Sequence, residues 1–206
     1  GNLKYFSDTI RLKSSKVSVL RNWLAKEPEA VLSKGIEVEW FSSRKIFIYS
    51  GNLGVAQGME MIFQCIEKMK YNEHVGFLFV GRGSEKDKFI AKCSSAKLTN
   101  VKFMDEVSET VLVGIYKMCD FGLISLDPKH RSHNIPGKFL SYLRSGLPVF
   151  AVVNKNNDII DEIEKNSLGK AIVNSNPRVF ERAICQLCKM EDEEIFIYKK
   201  NTKSYF

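Results

Sequence analysis

An α/β domain built on a doubly wound parallel sheet is the fold class the sequence predicts, and three observations predict it. Short apolar runs recur along the chain from residue 45 onward. Several are apolar throughout rather than alternating, as strands covered on both faces require. Between them lie segments with apolar residues at helical spacing, and the strand-to-strand interval of roughly 25 residues leaves room for a crossover helix each time. Right-handed crossovers then make the sheet doubly wound.

The predicted strands are Lys45–Ser50 (KIFIYS), Val75–Val80 (VGFLFV), Val101–Met104, 121–126 (FGLISL), 148–153 (PVFAVV) and 170–173. Met59, Ile62, Phe63, Ile66 and Met69 form one apolar helical stripe. Val111, Leu112, Ile115 and Tyr116 form another, behind Ser108 as N-cap. Asn176 followed by Pro177 opens a later helix, whose buried face is Phe180, Ile184, Leu187 and Cys188. A last helix follows Glu191. Residues 1–40 do not fit the repeat: 17–20 reads as a strand, while Trp23 and Pro28 suggest a loop. The expected organisation is therefore an extension or linker from an upstream domain over 1–40 and one domain over 41–206.

Composition narrows the class. Of 206 residues, 44 % are apolar and 27 % charged, which excludes a disordered chain. No apolar run approaches the roughly 18 residues of a membrane-spanning helix, and the N-terminal GNLKYFSDTIRLK has no signal-peptide core. The net charge of +7 is concentrated at one end, where Lys4, Arg11, Lys13, Lys16, Arg21 and Lys26 face only Asp8. That is a basic arm suited to a neighbouring domain or an anionic lipid surface, and docking on the domain is the favoured reading. The aromatics read as core, so no nucleic-acid partner is expected. Five cysteines (Cys65, Cys93, Cys119, Cys185 and Cys188) sit among apolar neighbours, the pattern of reduced thiols in a cytoplasmic protein. Cys185 and Cys188 lack the second pair or spaced histidine of a zinc site.

Ligands of an open parallel sheet bind beyond the carboxyl ends of its strands, and three segments have suitable chemistry there. Ser50-Gly51-Asn52-Leu53-Gly54 follows the first strand and offers close backbone approach, without the dinucleotide fingerprint. Gly81-Arg82-Gly83-Ser84 follows the second, with Ser84 placed to cap the next helix and Arg82 able to fork onto a phosphate. The third is His133-Asn134-Ile135-Pro136-Gly137-Lys138, leading into a short helix over 139–145. Lys138 in a first helical turn opposes the helix dipole, and an anion bound at the helix start resolves that conflict.

These phrases, in this order, resemble the C-terminal, donor-binding half of the two-domain (GT-B) glycosyltransferases of family 4, and within it the bacterial surface-polysaccharide group. The match runs through Val17-Ser18-Val19-Leu20-Arg21-Asn22-Trp23, the stretch from Phe47 to Gly58, Phe79-Val80-Gly81-Arg82-Gly83, Val101 to Met104, Met118 to Phe121, and Pro136-Gly137-Lys138 through Ser145-Gly146-Leu147-Pro148-Val149. The resemblance implies a Rossmann-like half that binds a UDP- or GDP-sugar and transfers the sugar, usually with retention, to a saccharide or lipid-linked saccharide. The acceptor-binding N-terminal domain lies outside this chain. No metal and no cofactor are implied, and the location implied is cytoplasmic, with peripheral contact at the inner membrane face. Donor-binding residues carried over are Gly51, Asn52, Arg82, Asn134, Gly137, Lys138 and Ser141, with His133 the candidate catalytic residue. Two family glutamates fall at His133 and Ser141, and a family basic pair falls at Asn52 and Gln57, so the phosphate charge rests on Arg82 and Lys138. The alternatives are a catalytically inactive scaffold of the same fold and half of a sugar-nucleotide epimerase. The latter needs carboxylates at the sheet mouth.

Overall fold

The computed structural model describes residues 24–31, 38–127, 129, 135–155, 157–173 and 176–206. The predicted strand at 17–20, Trp23, all of the basic arm except Lys26, His133 and Asn134 lie outside the described residues.

Six strands form one parallel sheet: β1 (Lys45–Ser50), β2 (Val75–Val80), β3 (Val101–Met104), β4 (Phe121–Ser125), β5 (Val149–Val153) and β6 (Gly169–Val173), in the order β3-β2-β1-β4-β5-β6. The helices are α1 (Val38–Ser42), α2 (Met59–Glu67), α3 (Lys86–Ser95), α4 (Glu109–Tyr116), α5 (Gly137–Arg144), α6 (Asp158–Lys165), α7 (Pro177–Cys188) and α8 (Asp192–Tyr205). A doubly wound α/β fold is therefore what these residues build.

Alternate residues of one strand enter two different cores, which is why the strands read as continuous apolar runs. Phe47 and Tyr49 of β1 pack with Phe77, Phe79, Phe121 and Phe150 under α2, α3 and α7. Ile46 and Ile48 pack on the other face with Leu78, Ile124, Val149 and Ala151 under α1, α4, α5 and α6. The first core is largely phenylalanine, with the Phe47 and Phe121 rings stacked at 5.1 Å and Phe79 edge-on to Phe89 at 4.8 Å.

Local side-chain caps mark four of the eight helix starts among the described residues. Ser108 Oγ accepts from Val111 N–H at 3.4 Å, and Asn176 Oδ1 accepts from Arg178 N–H at 2.9 Å with Pro177 opening the helix. Ser84 does not cap α3. Glu85 stands at that N-cap without a side-chain capping bond, and its N–H donates to Leu53 O at 3.0 Å. The first-strand loop sets that turn, and no local capping rule could show it. Strand β5 begins one residue later than expected: Pro148 has no N–H to pair, and its carbonyl serves Gly122 N–H at 2.7 Å.

Helix α1 runs across residue 40 and buries Trp40 and Phe41. Ahead of it, Ala25 O accepts from Arg144 and Val31 N–H donates to Thr110 O. All five cysteines are free, and burial pushes the thiols of Cys65, Cys93 and Cys188 up to about 12, leaving them protonated and unreactive.

Candidate functional site

The strand order reverses direction between β1 and β4, and the two strands separate there. Strands β1 and β2 pair along all six residues, whereas β1 and β4 pair only at Phe47–Phe121 and Ile48–Gly122. Tyr142 of α5 fills the fork. Its hydroxyl accepts from Ser50 N–H at 3.1 Å and lies 3.2 Å from both Ile48 O and Leu123 O, replacing ladder bonds that the parting strands no longer make. The ring needs room that only a glycine provides: a Cβ on Gly122 would stand 2.4 Å from it. Ser50 Oγ lies 2.6 Å from Tyr116 Oη and donates to Tyr142 Oη at 3.3 Å. The base of the crevice is thus a satisfied hydroxyl network, and burial raises both tyrosines above their ordinary range.

Backbone fastens the two glycine loops above this fork. Leu53 N–H donates to Arg82 O at 2.8 Å, and Gly81 adopts φ +144° with its α-carbon so close to the first loop that a Cβ would sit 2.1 Å from Gly51 O. Gln57 Oε1 accepts from Gly54 N–H at 3.0 Å and from Asn52 Nδ2 at 3.4 Å. Asn52 and Gln57 therefore brace the first loop rather than charge it. The 3-10 turn Val55–Gln57 then carries the loop across to β4, where Ala56 O accepts from Asp127 N–H.

Lys138 closes the corner. Its ammonium stands 3.3 Å from the centre of the Tyr49 ring and has no hydrogen bond or ion pair among the described residues. Its Cε lies 3.9 Å from where a Gly51 side chain would begin. Tyr49 is held in place by its own hydroxyl, which donates to Asn52 O at 2.6 Å. Burial beside a helix start, with only a ring face for compensation, pulls the Lys138 ammonium down to about 7. Gly137, one residue earlier, is exposed, and a side chain there would meet nothing within 4 Å among the described residues. A first helical turn leaves its N–H groups without intrahelical partners, and among the described residues those of Gly137 and Lys138 have no acceptor.

The sequence-selected residues divide accordingly. Gly51, Gly137 and Lys138 share one corner at the switch point. Ser141 lies half-buried one turn along α5 from Lys138. Arg82 is at the mouth but its Nε pairs with Glu106 at 3.2 Å, both side chains being largely exposed. A fixed cation for phosphate was the expectation, and the structure gives it a carboxylate partner instead. Four contributors escaped the sequence reading: Tyr49, Tyr142, Gly122 and Lys86. Lys86 Nζ ties the β2 and β3 ends together through Gly81 O, Met104 O and Asp105. A tyrosine hydroxyl inside an otherwise apolar stripe was the one available hint of the Tyr142 wedge. Among the described residues no group of three or more His, Cys, Asp or Glu is arranged to hold a metal, and no helix is long and apolar enough to cross a membrane.

An open, doubly wound parallel sheet with a crevice at its switch point defines a Rossmann-like domain. The chain belongs to the family of glycosyl transferases group 1, whose model matches residues 44–190. It is 24 % identical over 153 residues to the probable glycosyltransferase WbjE of Pseudomonas aeruginosa, covering 74 % of this chain and 38 % of that protein. Among solved structures, WaaG, a glycosyltransferase involved in lipopolysaccharide biosynthesis, superposes with a TM-score of 0.73 at 12 % identity, over 98 % of this chain and 55 % of its own. A variant of Staphylococcus aureus TarM in complex with fondaparinux, alpha-GlcNAc-glycerol and UDP superposes with a TM-score of 0.67 at 19 % identity, over 92 % of this chain and 37 % of its own. The chain thus spans well under two thirds of each. Its fold fits the C-terminal domain of a GT-B glycosyltransferase.

Proposed function

We propose that this domain is the donor-binding half of a glycosyltransferase. It holds the diphosphate of a UDP- or GDP-sugar between the Gly51 loop, the Gly81-Arg82 loop and the start of α5. The observation that carries the reading is Lys138: a half-buried cation without a counter-charge among the described residues, at an open helix start beside a glycine loop. Such an arrangement is costly unless an anion completes it. A diphosphate supplies the charge and accepts from the free N–H groups of Gly137 and Lys138. Arg82 joins it by exchanging Glu106 for phosphate, a small cost because that pair is exposed.

Transfer of the sugar to a saccharide or lipid-linked saccharide requires the acceptor-binding domain, against which the basic arm docks. Family membership and the likeness to WaaG support a role in surface-polysaccharide building at the cytoplasmic side of the membrane. The resemblance assigns His133 and Asn134, which lie outside the described residues, to the sugar, and Ser141 replaces a carboxylate clamp on the ribose with a single hydroxyl. A scaffold that binds the nucleotide without transferring sugar is the second reading, favoured by the neutral residues at positions 133 and 141.

Titration calorimetry of the full-length protein with UDP, GDP and their sugar conjugates tests the proposal. Binding that is lost in Lys138→Ala and weakened in Arg82→Ala supports it. No binding by any nucleotide refutes both readings, and binding without turnover of any donor leaves the scaffold.

A further inference from the structure

Helix α8 runs along the opposite rim of the sheet from the crevice. Its first residue meets Lys45 at the start of β1, with Nζ and Asp192 Oδ1 at 3.3 Å, and Asn201 Nδ2 donates to Ser167 O just ahead of β6 at 3.2 Å. With the turn before β5 it encloses a groove of about 480 Å³ whose lining includes Lys117, Lys199, Lys200, Lys203, Phe196 and Leu147 and no acidic residue.

The charge here is unspent. Lys45, Lys86, Lys88, Lys92 and Lys165 each reach a carboxylate, whereas the four groove lysines form no ion pair among the described residues. Of the carboxylates on β4 and the first turn of α8, Asp120, Asp192 and Glu194 are engaged elsewhere. Asp120 accepts from Ile46 N–H at 2.7 Å and faces Lys45, with Lys199 a more distant influence on it, while Asp192, Glu193 and Glu194 occupy the first turn of α8. Helix α8 also carries the exposed apolar side chains Phe196 (65 %) and Ile197 (55 %) near its start, and Phe206 (44 %) follows its end. Phe196, Lys200 and Lys203 are spaced to share one face.

We propose that this face of α8 docks on an anionic phospholipid bilayer. Charge selects the occupant. The chain's own arm, with Lys4, Arg11, Lys13, Lys16 and Arg21 against Asp8, carries the same sign and is repelled. A second copy related by two-fold symmetry brings like charge against like charge. An anionic surface satisfies the four ammonium groups, and an exposed phenylalanine beside lysines on one helical face matches a bilayer, where heads bind phosphate and the ring enters the acyl boundary. Docking through this rim leaves the crevice on the far side free. The inference is independent of what the crevice binds.

Flotation of the full-length protein with phosphatidylcholine vesicles, with and without phosphatidylglycerol, tests it. Binding is expected only with the anionic lipid. Each groove lysine contributes about fivefold to affinity, so the triple change Lys199→Ala, Lys200→Ala and Lys203→Ala weakens it about a hundredfold. Phe196→Ser weakens it severalfold, and reversing Arg11, Lys13 and Lys16 leaves most of it. Unchanged melting curves establish that the variants fold. The proposal is overturned by equal binding to neutral vesicles, by an unaffected triple variant, or by loss through the arm variant alone. A groove that binds soluble polyglutamate but not vesicles overturns it in favour of an acidic protein.

Discussion

Lys138 carries an expectation that can be worked through quantitatively. Its ammonium is lowered from 10.5 to about 7 by burial against Tyr49. At pH 7 about half of the ligand-free molecules therefore hold a neutral lysine, and at pH 9 nearly all do. A diphosphate binds the charged form, so nucleotide binding above pH 7 draws a proton from solvent and affinity falls about tenfold per pH unit, roughly a hundredfold between pH 7 and 9. Folding shows the mirror effect. The unfolded chain keeps the ordinary value and binds more protons than the folded one between about 7 and 10.5, so ligand-free stability rises with pH across that window. From pH 7 to 9 this group adds roughly 2 kcal/mol, and below 7 its full penalty is in place. The assay is calorimetry of UDP binding in two buffers of different ionisation enthalpy at pH 8, which counts protons directly. Lys138→Arg, charged at every accessible pH, should flatten the pH profile, and Lys138→Met should bind weakly and also without a profile. Equal proton counts of zero for wild type and Lys138→Met would refute the idea that an uncompensated lysine waits in the crevice.

Three further expectations follow from the same corner. Tyr142→Phe removes the acceptor for Ser50 N–H and leaves that buried donor unpaired; a loss of about 1–3 kcal/mol, or roughly 3–10 °C in Tm, is expected by thermal melting. Gly81→Ala drives a Cβ into Gly51 O and adds a strained φ; a cost of about 3 kcal/mol, seen as a Tm about 6–12 °C lower, is expected by scanning calorimetry, and a neutral result would mean the two loops are not clamped together. Glu106→Gln frees Arg82 and should tighten UDP binding about two- to threefold at low salt, an advantage that 0.5 M or roughly comparable salt erases; Arg82→Ala combined with it should show no such gain.

What could be read in the chain, and what could not, separates along the range of the interactions involved. The bounds of β1 and β2 were legible because both faces of each strand are buried, so an apolar run marks them, while the half-buried edge strand β3 was legible as a short run despite Lys102. Asn176-Pro177 and Ser108 were legible because a cap acts on an amide two or three residues away. Ser84 failed as a cap since a carbonyl more than thirty residues earlier in the chain, that of Leu53, claims the turn. The same limit applies within the crevice. Gly51, Gly137 and Lys138 announced themselves by local chemistry, and their meeting was expected from the carboxyl-end rule for parallel sheets. That Lys138 would rest on Tyr49, or that Arg82 would find Glu106, depends on side-chain packing between separate crossover units, for which spacing along the chain carries no signal.

The location of the crevice and the identity of its walls have one physical cause. Parallel strands can part at a switch point only if the amides and carbonyls they abandon are satisfied by something else. Here a single tyrosine hydroxyl serves Ser50 N–H and lies against the carbonyls of Ile48 and Leu123. Because that tyrosine sits on α5, one turn after Lys138, the wedge that opens the sheet also fixes the helix whose first turn carries Lys138. Gly122 is then required for the wedge and Gly81 for the loop above it, so a glycine within β4 and another just after β2 answer to one geometry. On this view Gly122→Ala should do more than destabilise. By displacing Tyr142 it should shift α5 and move Lys138 off Tyr49, so nucleotide affinity falls together with Tm, whereas Gly137→Ala, facing open space, should leave both nearly unchanged. A Gly122→Ala protein that lost stability yet bound UDP normally would separate the wedge from the anion corner and break the link between them.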